Sequence, residues 1–232
     1  AGAVLARRYG AEALKTLPAP STFFLVAARM GWALEDTLCL GLHAAPLARL
    51  RPHLAPGQKA IVLLRDGDAV AELAGYLEGL GFGATELTVL EAVGGPRERR
   101  TVASASDLPP NSFHHPVAVA LDIAGNGLAL PCTPGLPDET FDHDGQLTKR
   151  QIRALTLSAL APRPGEHLWD IGGGAGSVSI EWCLAHPSTS ATAIERVDAR
   201  ADRVVANATA LGVDRLTVVR GAAPAALTDL PP

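Results

Sequence analysis

A run of glycines between two regular patterns constrains the fold of this chain more than any other feature. Residues 170–176 read Asp-Ile-Gly-Gly-Gly-Ala-Gly. They follow a β-rich apolar segment, residues 167–171, and precede a helical pattern over residues 177–185. Glycines allow a sharp turn and close approach of a ligand, and the helix that follows adds unpaired N–H groups. This context predicts the first strand, turn and helix of a doubly wound fold.

The segments around the glycine turn also alternate between helix and strand. Apolar spacing predicts a helix from Leu147 to Pro162, a strand over 191–195, a helix over 198–211 and a strand over 216–219. The order α-β-α-β-α-β is typical of a parallel sheet with helices packed over it.

The entry to the first of these helices has its own signals. Thr148 and Gln151 have the spacing of a capping box. Ile152, Leu155 and Ala159 repeat along one helical face. The three cations of this region, Lys149, Arg150 and Arg153, are predicted to lie on a solvated charged face.

An earlier α/β unit precedes this one. Short β-rich runs at residues 36–43, 59–64, 86–90 and 116–123, with a helical pattern at 68–80, predict a parallel or mixed sheet. Residues 125–146 contain frequent Gly and Pro without sustained periodicity, which is typical of a linker. The predicted fold class is therefore α/β in two domains, residues 1–124 and 147–232, joined by a linker at 125–146.

Composition excludes several classes of function. The net charge is −4 with 19% charged residues, so the sequence lacks the basic excess of a nucleic-acid-binding protein. No apolar run approaches the roughly 18 residues of a membrane span. Three widely spaced cysteines predict reduced thiols in a cytoplasmic protein, without a metal site, and Cys39 and Cys183 are predicted core residues. The oligomeric state is not decided, and a homo-oligomer stays open.

Two acidic residues indicate which ligand the glycine turn binds. Asp170 lies two residues before the first glycine and would repel a pyrophosphate, but it suits the ammonium group of S-adenosylmethionine, which has no phosphate. Glu195 ends the next predicted strand, where a carboxylate can accept hydrogen bonds from ribose hydroxyls. An NAD(P)-dependent oxidoreductase is the alternative, although Ser177 occupies the sixth position of the dinucleotide pattern.

The second unit resembles the C15-methylating, decarboxylating domain of cobalamin biosynthesis. The matching segments are LTKRQIRA (147–154), LWDIGGGAGSVSIEW (168–182), AIER (193–196), Asn207 and GAAPAAL (221–227). The resemblance implies that Thr148 and Ala223 also belong to the cofactor site. Ala222 departs from the Gly-Asp-Ala-Pro form that is common in this family.

The first unit resembles a tetrapyrrole methylase of the C5-methylating type. The matching segments are PAPSTFFLVAARMGW (18–32), LGLHAAP (40–46) and VLEAVGGPRER (89–99), with departures at Gly41, Ala44, Ala92 and Val93. The two resemblances occur fused, in this order, in one enzyme family of cobalamin biosynthesis. They imply methylation of the reduced tetrapyrrole precorrin-6B at C5 and C15, with loss of carbon dioxide from an acetate side chain, giving precorrin-8.

The predicted S-adenosylmethionine site comprises Thr148, Asp170, Gly172, Gly173, Gly174, Ala175, Gly176, Glu195 and Ala223. No catalytic acid or base is identified, and a non-catalytic binding protein that retains this fold is a third hypothesis. Because a doubly wound domain needs about seven strands, we expect the first unit to be truncated at its N-terminus and the second at its C-terminus.

Overall fold

The computed structural model describes residues 2–15, 17–110, 112–228 and 230. The first unit contains α1 (Gly2–Tyr9), α2 (Thr22–Met30), β1 (Leu38–Gly41), β2 (Lys59–Leu63), α3 (Asp68–Gly79), β3 (Glu86–Glu91), β4 (Arg99–Ser104) and β5 (Val117–Asp122). The second contains α4 (Arg150–Leu160), β6 (His167–Ile171), α5 (Ser177–Ala185), β7 (Ser190–Glu195), α6 (Asp198–Ala210) and β8 (Leu216–Arg220).

The first sheet is mixed and has the strand order β1-β2-β5-β3-β4. β1 and β2 pair in parallel, whereas β5 runs antiparallel to both of its neighbours and β4 antiparallel to β3. One face packs against α3 through residues such as Val70, Leu73 and Leu77. The other face is covered by α2, whose Val26 is fully buried with Ile61 of β2. The predicted mixed sheet is confirmed.

The second sheet is parallel, with the order β6-β7-β8. Its register aligns Asp170 with Ala193 and Glu195 with Arg220. The core combines side chains from α4, α5, β7 and α6, among them Leu157, Ile180, Ala191 and Ala208. The predicted α/β class and the α-β-α-β-α-β order of this unit are confirmed.

Helix α4 differs from its prediction in two respects. Its N-cap is Lys149, one residue after the predicted N-cap Thr148, and no side chain makes a capping hydrogen bond. The predicted capping box at Thr148 is therefore wrong. Arg153 is completely buried, whereas Ile152 and Leu155 are 58% and 67% exposed. The prediction that Arg153 lies on a solvated face is also wrong, because the folded chain surrounds its guanidinium with acceptors that helical spacing cannot reveal.

Part of the predicted linker packs tightly on the second unit. Leu136 and Phe141 are 2% and 3% exposed and belong to the core cluster of that unit. We call residues 135–148, which run from this region to the start of α4, the strap. The domain boundaries at 124 and 147 remain a prediction.

The cysteine side chains are free but differ in burial. Cys183 is buried on α5, and this burial raises the pKa of its thiol to about 11. Cys39 is exposed on the edge strand β1, so its predicted place in the core is wrong. Within the described part of the chain, no helix combines the length and apolar character that crossing a membrane requires.

Candidate cofactor cleft

A cleft of about 580 Å³ lies at the carboxyl ends of β6, β7 and β8. The edge of a parallel sheet outside these strand ends is where doubly wound folds bind ligands. Eight of the nine predicted site residues line this cleft: Thr148, Asp170, Gly172, Gly173, Gly174, Ala175, Glu195 and Ala223. The structure thus brings together residues from four separate segments, and their role as cofactor contacts stays a prediction.

Glu195 lies at the end of β7 and connects that strand to the glycine turn. Its side chain is buried, at 4% residue exposure. Oε2 accepts a hydrogen bond from the backbone N–H of Gly174 at 2.9 Å, and Oε1 accepts one from Val197 N–H at 2.9 Å. Each carboxylate oxygen can accept a second bond, so this anchored carboxylate retains capacity for the hydroxyls of a ligand.

Asp170 lies at the end of β6 and is half-buried. Its Oδ2 accepts a short hydrogen bond, 2.5 Å, from the hydroxyl of Ser179 on α5. This bond orients the carboxylate but uses only part of its acceptor capacity. Ser179 was not predicted from the sequence, and its only signal is its place two residues into a helix that follows the glycine turn.

The glycines of the turn have two different roles. Gly172 has a φ of +84°, and a Cβ built on it meets no atom within 4 Å, so its side faces open space in the cleft. Gly176, the N-cap of α5, has a φ of +76°, and its Cβ would lie 2.7 Å from Cγ1 of Val204. Gly176 is not among the residues that line the cleft; it permits close packing of α5 on α6.

The strap forms one wall of the cleft through residues 145–148. It is bound to α6 by an ion pair of 2.8 Å between Arg200 Nε and Asp144 Oδ2, and Arg203 contacts Asp142 and Asp144 at 3.2 and 3.4 Å. The hydrogen bond from Arg200, with one from Gln146 N–H, lowers the pKa of Asp144 to about 2. Asp144 raises the pKa of Arg200 in turn, with a smaller contribution from Glu195.

Thr148 and Ala223 line the cleft from two separate segments of the chain. The carbonyl of Thr148 accepts a hydrogen bond from Nη1 of Arg153, which holds the strap where it meets α4. Ala223 follows β8 and precedes Pro224, and it is exposed. Their place in one cleft agrees with the cofactor site that the family resemblance implies. Thr148 does not cap α4, so capping does not account for a threonine at this position.

Further residues line the cleft that were not among the predicted cofactor contacts. They are Gly145, Gln146, Arg196, Arg200, Gly221 and Ala222, together with neighbouring apolar residues. A signal for Arg200 existed in the Asp-x-Asp spacing at 142–144 and the Arg-x-x-Arg spacing at 200–203, which are complementary in charge. Their pairing over 56 residues was not evident without the fold.

The cleft residues fit S-adenosylmethionine. An acid at the end of β6 and another at the end of the neighbouring β7 match a ligand with an ammonium group and a ribose, and Gly172 leaves open space between them. Among the described residues, no group of three or more His, Cys, Asp or Glu side chains could hold a metal ion.

A second, smaller cleft of about 210 Å³ lies in the first unit. It is lined by His43, His115 and Thr22, among others. His43 follows β1 in a turn and is exposed. His114, which precedes His115 in the chain, contacts the buried Glu91: its Nδ1 lies 3.1 Å from Glu91 Oε1.

Comparison with known proteins relates the whole chain to one group of enzymes. Residues 139–232 match the family described as "Precorrin methyltransferase domain". A Sinorhizobium protein named precorrin-6Y C(5,15)-methyltransferase [decarboxylating] is 50% identical over 99% of this chain and 56% of its own length. A Mycobacterium tuberculosis (strain ATCC 25618 / H37Rv) protein of the same name is 40% identical over 98% of this chain and 57% of its own length.

Among solved structures, the crystal structure of the C-terminal domain of precorrin-6Y C5,15-methyltransferase from Rhodobacter capsulatus is 53% identical, with a TM-score of 0.42. That match covers 44% of this chain and 55% of the other.

The matched family and the named relatives are methyltransferases, which is the class that the sequence predicted. More particularly, the chain is a relative of the decarboxylating precorrin-6Y C5,15-methyltransferases over nearly its whole length, so the resemblance drawn from its motifs is confirmed. The chain spans a little over half the length of these curated relatives, 56% and 57%.

Proposed function

We propose that this chain acts in S-adenosylmethionine-dependent C-methylation of precorrin-6B in cobalamin biosynthesis. The reaction adds methyl groups at C5 and C15 and removes carbon dioxide from an acetate side chain, giving precorrin-8. The names of the relatives support the ring positions and the decarboxylation. The observation that carries the donor assignment is the cleft in which Asp170 and Glu195 end neighbouring parallel strands.

S-adenosylmethionine supplies, when bound, a methyl group on a sulfonium centre that is already strongly electrophilic. The chain's own contribution is therefore mainly alignment, which is worth up to roughly 7–11 kcal/mol for well-positioned reactants. Asp170 attracts the ammonium group, Glu195 accepts from the ribose hydroxyls, and Gly172 allows the backbone to approach the ligand. The strap forms one side of the cleft.

The strand order also gives the ligand a direction. Asp170 belongs to β6, Glu195 to the central β7, and Ala222 and Ala223 follow β8. With the ammonium group at β6 and the ribose at β7, residues 222–223 would be the ones to face the base. We place the enzyme in the cytoplasm, where free thiols such as those of this chain stay reduced.

Calorimetric titration with S-adenosylhomocysteine tests the donor assignment. Asp170→Asn keeps an acceptor for Ser179 but removes the negative charge. Loss of a charged hydrogen bond should weaken binding roughly 10- to 100-fold. The matched control is Asp198→Asn, because Asp198 is an acid whose side chain is 81% exposed and which does not line the cleft.

A ligand analogue makes the same test specific to the ammonium group. An S-adenosylhomocysteine in which hydrogen replaces the amino group should bind the unchanged chain and Asp170→Asn with similar affinity, as a double-mutant cycle requires of a direct contact. Tight binding of NAD without binding of S-adenosylhomocysteine would overturn the proposal in favour of an oxidoreductase. Transfer of a labelled methyl group to precorrin-6B tests the substrate and separates an enzyme from a non-catalytic binding protein.

A further inference from the structure

Arg153 of α4 is the largest completely buried side chain among the described residues. Removing a guanidinium from water is costly unless charges and acceptors surround it. Two carboxylates do so here: Nε donates to Glu181 Oε1 at 2.5 Å, and Nη1 donates to Asp138 Oδ1 at 3.2 Å. Glu181 is itself 5% exposed and lies on α5, so the pair joins two helices of the second unit.

Like Asp138, the remaining contacts of this guanidinium belong to the strap. Nη2 donates to the Leu136 carbonyl and Nη1 to the Thr148 carbonyl. The ring of Phe141 lies 4.8 Å from the guanidinium carbon, within the range of a cation–π interaction. Residues near both ends of the strap therefore converge on one side chain.

Glu181 completes the attachment at the first end. Its Oε2 accepts from Gly135 N–H at 2.5 Å, and its Oε1 accepts from Leu136 N–H at 3.0 Å. The planar guanidinium and the carboxylate thus satisfy backbone groups of the strap that would otherwise be buried without partners. Such groups cost free energy when they lose their partners.

The middle of the strap is attached elsewhere, by the contacts of Asp142 and Asp144 with α6. The wall of the cleft, residues 145–148, lies between that attachment and the Thr148 carbonyl held by Arg153. Displacement of the Thr148 backbone would therefore move the wall. We infer that Arg153 is a positioning residue for the cofactor cleft, acting through the strap rather than by contact with the ligand; this rests on the proposed function.

A matched pair of variants separates positioning from general stability. Arg153→Lys keeps the charge but loses the planar set of donors. Arg215→Lys is the control, because Arg215 also holds backbone carbonyls, donating to Thr189 O at 2.9 Å and Cys183 O at 2.6 Å. These contacts lie at the opposite end of α5 from the glycine turn, and Arg215 does not line the cleft.

The readouts are the affinity for S-adenosylhomocysteine and the hydrogen-exchange rates of the amides of residues 145–148, with urea unfolding to measure stability. We expect Arg153→Lys to bind roughly tenfold more weakly and to exchange these amides faster. Arg215→Lys should lose stability while leaving both readouts within twofold of the unchanged chain. Glu181→Gln, which removes the charge and replaces one acceptor oxygen by a donor, should shift both readouts in the direction of Arg153→Lys and serves if that variant does not fold.

Two results would overturn the inference: Arg153→Lys or Glu181→Gln with unaltered exchange at residues 145–148, or Arg215→Lys with an equal effect on them. Failure of the unchanged chain to bind S-adenosylhomocysteine would instead contradict the proposed function. The exchange measurement, which needs no ligand, distinguishes these two failures.

Discussion

The side-chain amide of Asn207 pairs with the backbone of Asp142 as another peptide group would. Oδ1 accepts from Asp142 N–H at 2.9 Å, and Nδ2 donates to the Asp142 carbonyl at 2.9 Å. The same Nδ2 also donates to the carbonyl of Ala175 in the glycine turn at 2.9 Å. One buried side chain on α6 thus joins the strap to the turn that lines the cleft.

Replacement of Asn207 by Asp should destabilise the chain, because a carboxylate accepts but does not donate. The carbonyls of Asp142 and Ala175 would lose their donor, and the Ala175 carbonyl, which is buried, should cost roughly 1–3 kcal/mol when left unpaired. Urea unfolding measures the loss. Thr209→Ala is the control, since Thr209 is exposed on the same helix and should change the free energy of unfolding by at most about 0.5 kcal/mol. Equal stability of the two variants would contradict this reading of Asn207.

Alanine at Gly172 and at Gly176 should have different consequences. Both residues have positive φ values, +84° and +76°, so each substitution costs roughly 1–2 kcal/mol in backbone strain. Gly172→Ala adds a methyl group to the open cleft and should weaken binding of S-adenosylhomocysteine. Gly176→Ala places Cβ 2.7 Å from Val204 and should lose more stability than Gly172→Ala.

Urea unfolding and calorimetric titration of both glycine variants check these expectations. Combining Gly176→Ala with Val204→Ala should relieve part of the clash. The loss of stability in the double variant should then be smaller than the sum of the two single losses. If Gly172→Ala is the less stable variant, or if the double variant is strictly additive, the assignment of Gly176 to helix packing is wrong.

The Asp144–Arg200 ion pair should make the stability of the strap dependent on pH. The pKa of Asp144 is lowered to about 2 in the folded chain from an ordinary value of 3.8. The ion pair therefore contributes stability above about pH 4, and this contribution is lost as the pH falls towards 2. Urea unfolding of the unchanged chain and of Asp144→Asn should give a difference that is constant near neutral pH and disappears near pH 2.

The Arg200→Gln variant controls for the other carboxylates of the chain. In that background, the pH-dependent effect of Asp144→Asn should be smaller, because the largest cause of the lowered pKa is absent while the bond from Gln146 N–H and the charge of Arg203 remain. A pH-dependent difference of undiminished size without Arg200 would assign the effect to another group.

Ala161 ends α4 in the left-handed region, with φ 50° and ψ 63°, and its N–H donates to the Leu157 carbonyl at 3.0 Å. Glycine adopts this conformation without the steric cost of Cβ. Ala161→Gly should therefore stabilise the chain by about 1 kcal/mol and raise Tm in thermal unfolding. Ala159→Gly, within the same helix, should lower stability by up to about 1 kcal/mol, and a change of the same sign in both variants would exclude this explanation.

The elements with strong local signals were predicted closely. The predicted helix at 177–185 and strand at 191–195 correspond to α5 (Ser177–Ala185) and β7 (Ser190–Glu195). Strand β4 was not predicted, because its segment shows little alternation of apolar and polar residues. In the structure, all of its residues are exposed or half-buried. It forms because β3 offers a free edge for antiparallel pairing, and this information lies outside the segment.

The candidate site likewise has a part that was predicted from the sequence and a part that was not. Asp170 and Glu195 were predicted to lie together because the carboxyl ends of neighbouring parallel strands share one edge of the sheet. The contacts of Ser179, Arg200 and Asn207 were not predicted. Their partners are brought to them by the packing of α5, α6 and the strap.

By itself, the amino-acid sequence determined the α/β class, the glycine turn between β6 and α5, and the two acids at the cleft, because these depend on periodicity and on residues adjacent in the chain. Only the tertiary structure decided that Arg153 is buried while Ile152 and Leu155 are exposed. The energy of a buried guanidinium depends on its acceptors, and those acceptors come from the strap and from Glu181 on another helix.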